Sequence, residues 1–477
     1  MNLFDEAIEN FEKAIEIDST FALPYMRIGM AYTFKGRNQQ GVRYFIKAKQ
    51  FEDKLPIKEK NLLDIYVDTW VNTKFDDAYI KLKTFVRNYP DDKEARTIYA
   101  LFLSELANNK TEALAQLDTV LLLDQKSPMA LQQIGRIYAL QGDYDKAIEY
   151  AKLMKKYHPE SPIAYEQLSA YYQDVGRYDE AKEESRELLK LSPRNLDAIR
   201  LLDRIEIMQR DFESADNYTE MIRTYYTDDP YNMILYYGFK ENLSYWRGQF
   251  KEAGEYQRRA VEQARISGDS SQVYNQMSGL ASYLKNIVGQ TDSALALERE
   301  ASKWAQKFQL LSHAFKMVQF DITTAPEVEK MYYDKIQEFK ASTPKELWPL
   351  ADNLTAIFEG VLNHDTAGVI ATYVDMLKNP EQKNSADKYE MGKLLVLIGR
   401  FEEGVELLSQ LTSGVDETSS ATRYLKARYY IGRAEEGLGH TDKAVECYRE
   451  VLKYWGKPDI ELDEIADTRK RLNQLQG

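Results

Sequence analysis

An all-α superhelix of about a dozen stacked helix-turn-helix repeats, closed by a C-terminal capping helix, is the fold this 477-residue sequence predicts. Three observations lead there. "LQGDYDKAIEY" at 140–150 returns as "VGRYDEAKEE" at 175, "MQRDFESADNY" at 208, "RGQFKEAGEY" at 247 and "LGHTDKAVECY" at 438. The small residue of each copy recurs at a nearly fixed interval: Ala7, Gly41, Ala78, Ala113, Ala147, Ala181, Ala215, Ala253 and Ala294 are spaced by 34, 37, 35, 34, 34, 34, 38 and 41 residues. A gap of 74, room for two units, then leads to Gly368, Gly404 and Ala444. Finally, a second apolar stripe with helical spacing precedes each turn, as in "MALQQIGRIYAL" at 129–140.

In chain order, "FDEAIENFEKAIEID" at 4–18 aligns with the second helix of a repeat alone, which suggests an incomplete N-terminus or a start at a truncated reading frame. The array is expected to run over 1–299, best formed at 128–195 and with extended repeats from 234. Residues 300–365 keep helical stripes but little of the motif and read as degenerate repeats. Repeats resume over 366–458, and 459–477 presents Leu462, Ile465, Leu472 and Leu475 as the stripe of one capping helix. The period crosses these boundaries without a break in composition, so one continuous array is expected.

The repeated residues have packing roles. Gly142, Gly176, Gly248, Gly399 and Gly439 fall where the first helix (helix A) must stop, and a left-handed backbone there favours glycine. Tyr144, Tyr178, Phe212, Phe250 and Phe401 follow two residues later, placed to wedge between paired helices. The anchor alanine of the second helix (helix B) is small because its neighbour approaches closely; Gly29 and Gly135 do the same on helix A. Pro159 and Pro193 close their units.

These residues resemble the tetratricopeptide repeat (TPR) family over nearly the whole chain, best in 128–161 (Ile134, Gly135, Tyr138, Gly142, Tyr144, Ala147, Pro159) and 162–195 (Tyr165, Leu168, Tyr172, Gly176, Tyr178, Ala181, Pro193). The resemblance implies a concave groove lined by helix A side chains and a non-enzymatic protein-interaction role. Its groove positions fall on Lys60, Leu63, Val67, Trp70 and Val71; Gln132 and Arg136; Glu166, Gln173 and Asp174; Arg200, Arg204 and Met208; Leu235, Asn242, Tyr245 and Trp246; Tyr389 and Lys393; and Tyr429 and Arg433. Trp, Tyr and Arg are the residue types that most often carry interface energy. The mixed lining suits an extended or helical protein segment with acidic groups and apolar anchors. Met26 and Met30, Gln132 with Arg136, and Glu166 with Ala170 do not supply the lysine and asparagine of a two-carboxylate clamp.

Both ends also resemble the TPR regions that follow a Ser/Thr kinase, nucleotide cyclase or winged-helix domain in bacterial signalling proteins. The residues are "LPIKEKNLLDIY" at 55–66, before "KFDDAYIKLKTFVRNYPDD", and Tyr448, Leu452, Trp455, Asp459, Leu462, Glu464, Ile465, Arg469, Arg471 and Leu472. This implies the docking or regulatory C-terminal part of such a protein. A stand-alone assembly scaffold and a small-ligand-sensing solenoid, enclosing its ligand at 253–305, are the alternatives.

Charge and composition exclude other classes. A formal charge of −13 opposes general nucleic-acid binding, which needs a basic face. No apolar run of about 18 residues exists for membrane insertion, and the acidic first 18 residues are no signal peptide, so a cytoplasmic location is expected. The single cysteine, Cys447, permits no internal disulfide. His158, His313, His364 and His440 are scattered without ligand spacing, and no phosphate loop or nucleophile elbow is present. In a solenoid, residues several repeats apart are not expected to meet, so dispersed groups should not assemble into a catalytic site. No enzyme activity, cofactor or metal is expected.

Overall fold

The structure, a computed structural model, describes residues 3–34, 36–106, 108–305, 308–320, 325–342, 345, 348–378, 385–413 and 420–476. Parts of the expected degenerate stretch, and the ends at 1–2 and 477, lie outside the described residues. Among those described there is no β-strand, and the architecture is the expected all-α succession of helical pairs. A helix at Leu3–Ile17 comes first, twelve A/B pairs follow, and Asp463–Gln476 stands last. The 74-residue gap between anchors holds two such units, Phe308–Phe320 with Ala325–Ser342 and Trp348–Leu362 with Thr366–Lys378. Their motif residues are missing, but Tyr332 and Phe358 stack at 4.0 Å between ring centres and so bury equivalent apolar area.

The turn at 140–144 shows why the motif recurs. Gly142 has φ +79°, and its N–H and that of Asp143 return to the carbonyls of Ala139 and Tyr138 at 2.9 Å, satisfying two open acceptors at the end of helix A. The Asp143 carboxylate then caps helix B by accepting the Lys146 N–H at 3.2 Å. Ala78, Ala113, Ala147, Ala181, Ala215, Ala253, Ala294 and Ala444 are all fully buried, as close helix approach demands. Gly29 is needed for the same reason: a Cβ there would lie 2.7 Å from the Phe45 ring.

The chain divides into two compact units, Met1–Leu201 with Lys340–Trp348 and Leu202–Phe339 with Pro349–Gly477. In the first unit the A helices are Ala22–Phe34, Ile57–Tyr66, Lys93–Glu105, Pro128–Leu140 and Pro162–Asp174, each followed by its B helix. A wide π turn at Val67–Val71 extends the second of them. One apolar core runs through this unit from Ala22 to Ile137, with Phe45 stacked on Tyr66 at 5.3 Å.

The second unit contains longer helices, Pro230–Trp246 and Phe250–Ser267, in the region where extended repeats are expected. Its core joins residues far apart in sequence: Leu243, Trp246 and Phe250 share one cluster with Tyr424, Tyr448 and Trp455. This departs from the expectation that distant repeats do not meet. The cause is apolar area, since these aromatic side chains would otherwise each leave a large exposed surface.

Candidate protein-binding surface

In the first unit, the side chains assigned to the groove link one A helix to another. Arg136 forms an ion pair with Glu105 of the preceding A helix, and its Nε–H donates to Gln133 Oε1 at 3.2 Å. Arg27 pairs with Glu94 two A helices further on. Glu166 accepts a hydrogen bond from Asn195 Nδ2 at 2.9 Å. Burial, and then the nearby Asp197, push the Glu166 carboxyl up to about 7, against the effect of that hydrogen bond. Arg200 is held by Asp197 at 3.2 Å within its own helix. Trp70 is half-buried on the edge of the core. Gln173, at 1 % exposure, is an interior residue and offers no open contact surface.

Positive charge on this face is therefore balanced locally. Arg136 and Arg200 each have a carboxylate partner, so an incoming acidic segment would exchange one ion pair for another. What the face offers is paired donors and acceptors beside the half-buried Trp70.

In the second unit the assigned residues have a different setting. Trp246 is 1 % exposed and enclosed by Phe212, Tyr424 and Tyr454 at 5.5, 5.5 and 5.1 Å between ring centres. Asn242 Oδ1 accepts the main-chain N–H of Ala421 at 3.0 Å, and the Tyr245 carbonyl accepts Trp455 Nε1–H at 2.8 Å. Asp459 completes the contact, its N–H donating to the Gly248 carbonyl at 3.1 Å while its carboxylate accepts the Lys251 N–H at 3.1 Å. Asn242 and Trp246 thus face the chain's own C-terminal repeats. Family groove positions identify a face of a helix, but they do not identify what covers it.

Tyr389, Lys393, Tyr429 and Arg433 come together with the side chain of Tyr245 around a cavity described below. Tyr429 donates to Asp467 Oδ2 at 2.8 Å, and Arg433 lies 5.9 Å from the Tyr429 ring centre. Arg204 is half-buried on the helix Leu196–Met208. Sequence reasoning did not single out Arg210, Tyr424, Tyr454 or Asp459 as a set. The one available signal was an arginine at position 210, where the sister turns carry glycine.

Two of the four histidines pair with glutamates. His313 Nδ1 lies 3.2 Å from Glu298 in the interior, and His440 Nδ1 lies 2.6 Å from Glu435. Among the described residues no three His, Cys, Asp or Glu side chains gather as a metal site, and no helix is long and apolar enough to cross a membrane.

The sequence matches family models described as tetratricopeptide repeat over residues 99–162, over 1–21 and 163–195, and over 426–457. The chain thus carries tetratricopeptide repeats. No curated protein matches it. Among solved structures it is similar to a tetratricopeptide repeat protein from Parabacteroides merdae, at 14 % identity and TM-score 0.40, covering 55 % of this chain and 98 % of that one. It is also similar to PilW, a type IV pilus biogenesis factor, at 19 % identity and TM-score 0.34, covering 43 % and 94 %. A third likeness is YrrB, a TPR protein with an unusual peptide-binding site, at 18 % identity and TM-score 0.26, covering 40 % and 97 %.

Proposed function

We propose that this chain is a non-enzymatic protein-interaction module whose first unit receives a segment of a partner protein along its A helices. The observation that carries the reading is the ladder of polar groups joining separate repeats, Arg27 with Glu94 and Arg136 with Glu105 between A helices, and Glu166 with Asn195, the residue before the helix Leu196–Met208. Such a ladder fixes the spacing of the A helices and leaves polar valences and the Trp70 edge for a bound segment. A partner with acidic groups beside apolar anchors fits it, the acids engaging Arg136 and Arg200 and the anchors packing beside Trp70.

The resemblance of the two ends supports a narrower form of the proposal, the docking or regulatory part of a bacterial signalling protein. An assembly scaffold would use the same face without an effector domain. The coding sequence around this chain distinguishes them, because a kinase, cyclase or DNA-binding domain joined to it supports the signalling role.

Photo-crosslinking tests the surface directly. A crosslinking residue at Trp70, Arg136 or Arg200 should capture one common partner, and the same residue at Lys146, Lys182 or Lys251 on the B helices should not. Capture only from the B-helix set would overturn the assignment of this face.

A further inference from the structure

Within the second unit, two adjoining spaces of about 440 and 700 Å³ share Asn286, Ile287, Lys393 and Lys426 in their walls. Each is of the size that takes a small organic molecule. Tyr245, Tyr283 and the π turn Leu284–Val288 form one side, and Tyr389, Tyr429 and Tyr430 form the other. The fold-back of the C-terminal repeats brings these sides together.

Besides Glu461, which pairs with Arg469, and Asp463, the charges of the larger space divide into two groups. Lys426 holds Glu464 at 2.9 Å, and Arg471 holds Asp467 at 2.6 Å. Burial alone would raise both carboxyls, but these cations and their hydrogen bonds, with smaller contributions from Lys393 on Glu464 and Arg433 on Asp467, hold them below the usual carboxylate range. Lys285, Lys393 and Arg433 remain. Lys285 Nζ donates to the neutral Thr291 hydroxyl at 2.8 Å, and the carboxylate paired with Lys393 is Glu390 of its own helix, at 3.8 Å. Arg433 makes no ion pair within 4.0 Å among the described residues, but it lies near enough to Asp467 to help hold that carboxyl low. Three cations from three separate repeats thus face one tyrosine-walled space. Glu241 lines the smaller space, where burial pushes its carboxyl up to about 7, so it is only partly ionised near neutral pH.

We propose that this cavity binds a small organic anion, its carboxylate or phosphate group placed among Lys285, Lys393 and Arg433 and its body lying along Tyr389 and Tyr430. An oxyanion there accepts charge-assisted hydrogen bonds from these cations. The site is separate from the partner-binding face of the first unit and does not depend on it.

Calorimetric titration of the full chain at fixed ionic strength tests this, with ATP as the phosphate-bearing probe and citrate as the carboxylate-bearing one. At least one should bind saturably, and which one does identifies the anion's source. The double variant Lys393→Gln, Arg433→Gln should weaken that binding by about tenfold or more, with its ligand-free melting midpoint unchanged. If the double variant melts early, Lys285→Gln, which alters only a contact to Thr291, should still weaken binding. Failure of both probes to bind, or equal binding by wild type and every variant, would overturn the proposal.

Discussion

The guanidinium carbon of Arg210 lies 4.0 Å from the centre of the Trp246 indole and 4.5 Å from the centre of the Tyr424 ring, 214 residues further along the chain. Arg210 has φ +63° at the turn position where Gly142, Gly176 and Gly248 stand in sister repeats. A left-handed non-glycine residue costs about 1–2 kcal/mol, and a desolvated cation–π contact contributes about 2 kcal/mol. With two rings involved, the side chain outweighs the backbone.

Arg210→Gly should therefore destabilise the protein by about 1 kcal/mol, because relief of strain offsets part of the lost contact. Arg210→Ala keeps the strained backbone and should lose about 2–3 kcal/mol. Urea unfolding followed by tryptophan fluorescence orders the three proteins. A glycine variant more stable than wild type would show that the contact of Arg210 with the two rings contributes nothing.

Much of this fold is legible in the sequence because a repeat states its local rules many times over. The period locates Ala147 and Ala181 in the interior and Gly142 and Gly176 at left-handed turns, and the structure has them so. Even the 74-residue gap resolves into two helical pairs. Contacts beyond nearest neighbours leave no periodic trace. Trp246 satisfies the spacing of a groove residue whether solvent, a partner or Tyr424 lies against it, so spacing could not reveal its burial. Gln173 illustrates the same limit within the first unit, a polar residue at a groove position that proves to be interior.

Asp203 makes the second unit sensitive to pH. It is 1 % exposed on the helix Leu196–Met208, its carboxyl accepts the Thr219 hydroxyl at 2.7 Å, and burial pushes it up to about 7. Its unfolded value is near 4, so between pH 4 and 7 the folded state binds more protons than the unfolded state. Stability then falls as pH rises through that window and is level above it. Asp203→Asn keeps an acceptor for Thr219 and removes the titration. Its stability relative to wild type should rise by about 1–3 kcal/mol between pH 4.5 and 8, read from denaturant midpoints at each pH. A constant difference across the range would show that Asp203 does not titrate in this window.

Cys447 reports on the C-terminal repeats. It is 3 % exposed, and burial pushes its thiol up to about 11 despite the neighbouring Arg428. Thiolate is the reactive form, so the native protein should react with a thiol-specific disulfide reagent only when the helix Thr441–Trp455 opens. Labelling should be slow in buffer, reach one equivalent in denaturant, and speed up in Arg210→Ala if the contact of Arg210 with Trp246 and Tyr424 holds these repeats in place. Rapid stoichiometric labelling of the wild type would show that the repeat is open.

The fold-back can be tested by the coupling between its two ends. Ser420, the residue before the helix Ala421–Gly437, makes no side-chain capping bond, and Asn242 Oδ1 takes the Ala421 N–H in its place. Asn242→Ala should then cost about 0.5–2 kcal/mol, the cost of losing a helix N-cap. Trp455→Phe keeps a buried ring beside Phe250 but removes the donor to the Tyr245 carbonyl, for about 1–3 kcal/mol. Both hydrogen bonds start from the helix Pro230–Trp246, but they end on different helices, Ala421–Gly437 and Thr441–Trp455, and share no partner. If the C-terminal repeats dock as one body, removal of either bond loosens the seating of the other, and the double variant loses less than the sum of the singles. A double-mutant cycle by urea denaturation should give a coupling of about 0.5 kcal/mol or more. Strict additivity would mean that the two contacts form independently, and the C-terminal repeats would then be joined to Asn242 and Tyr245 only loosely.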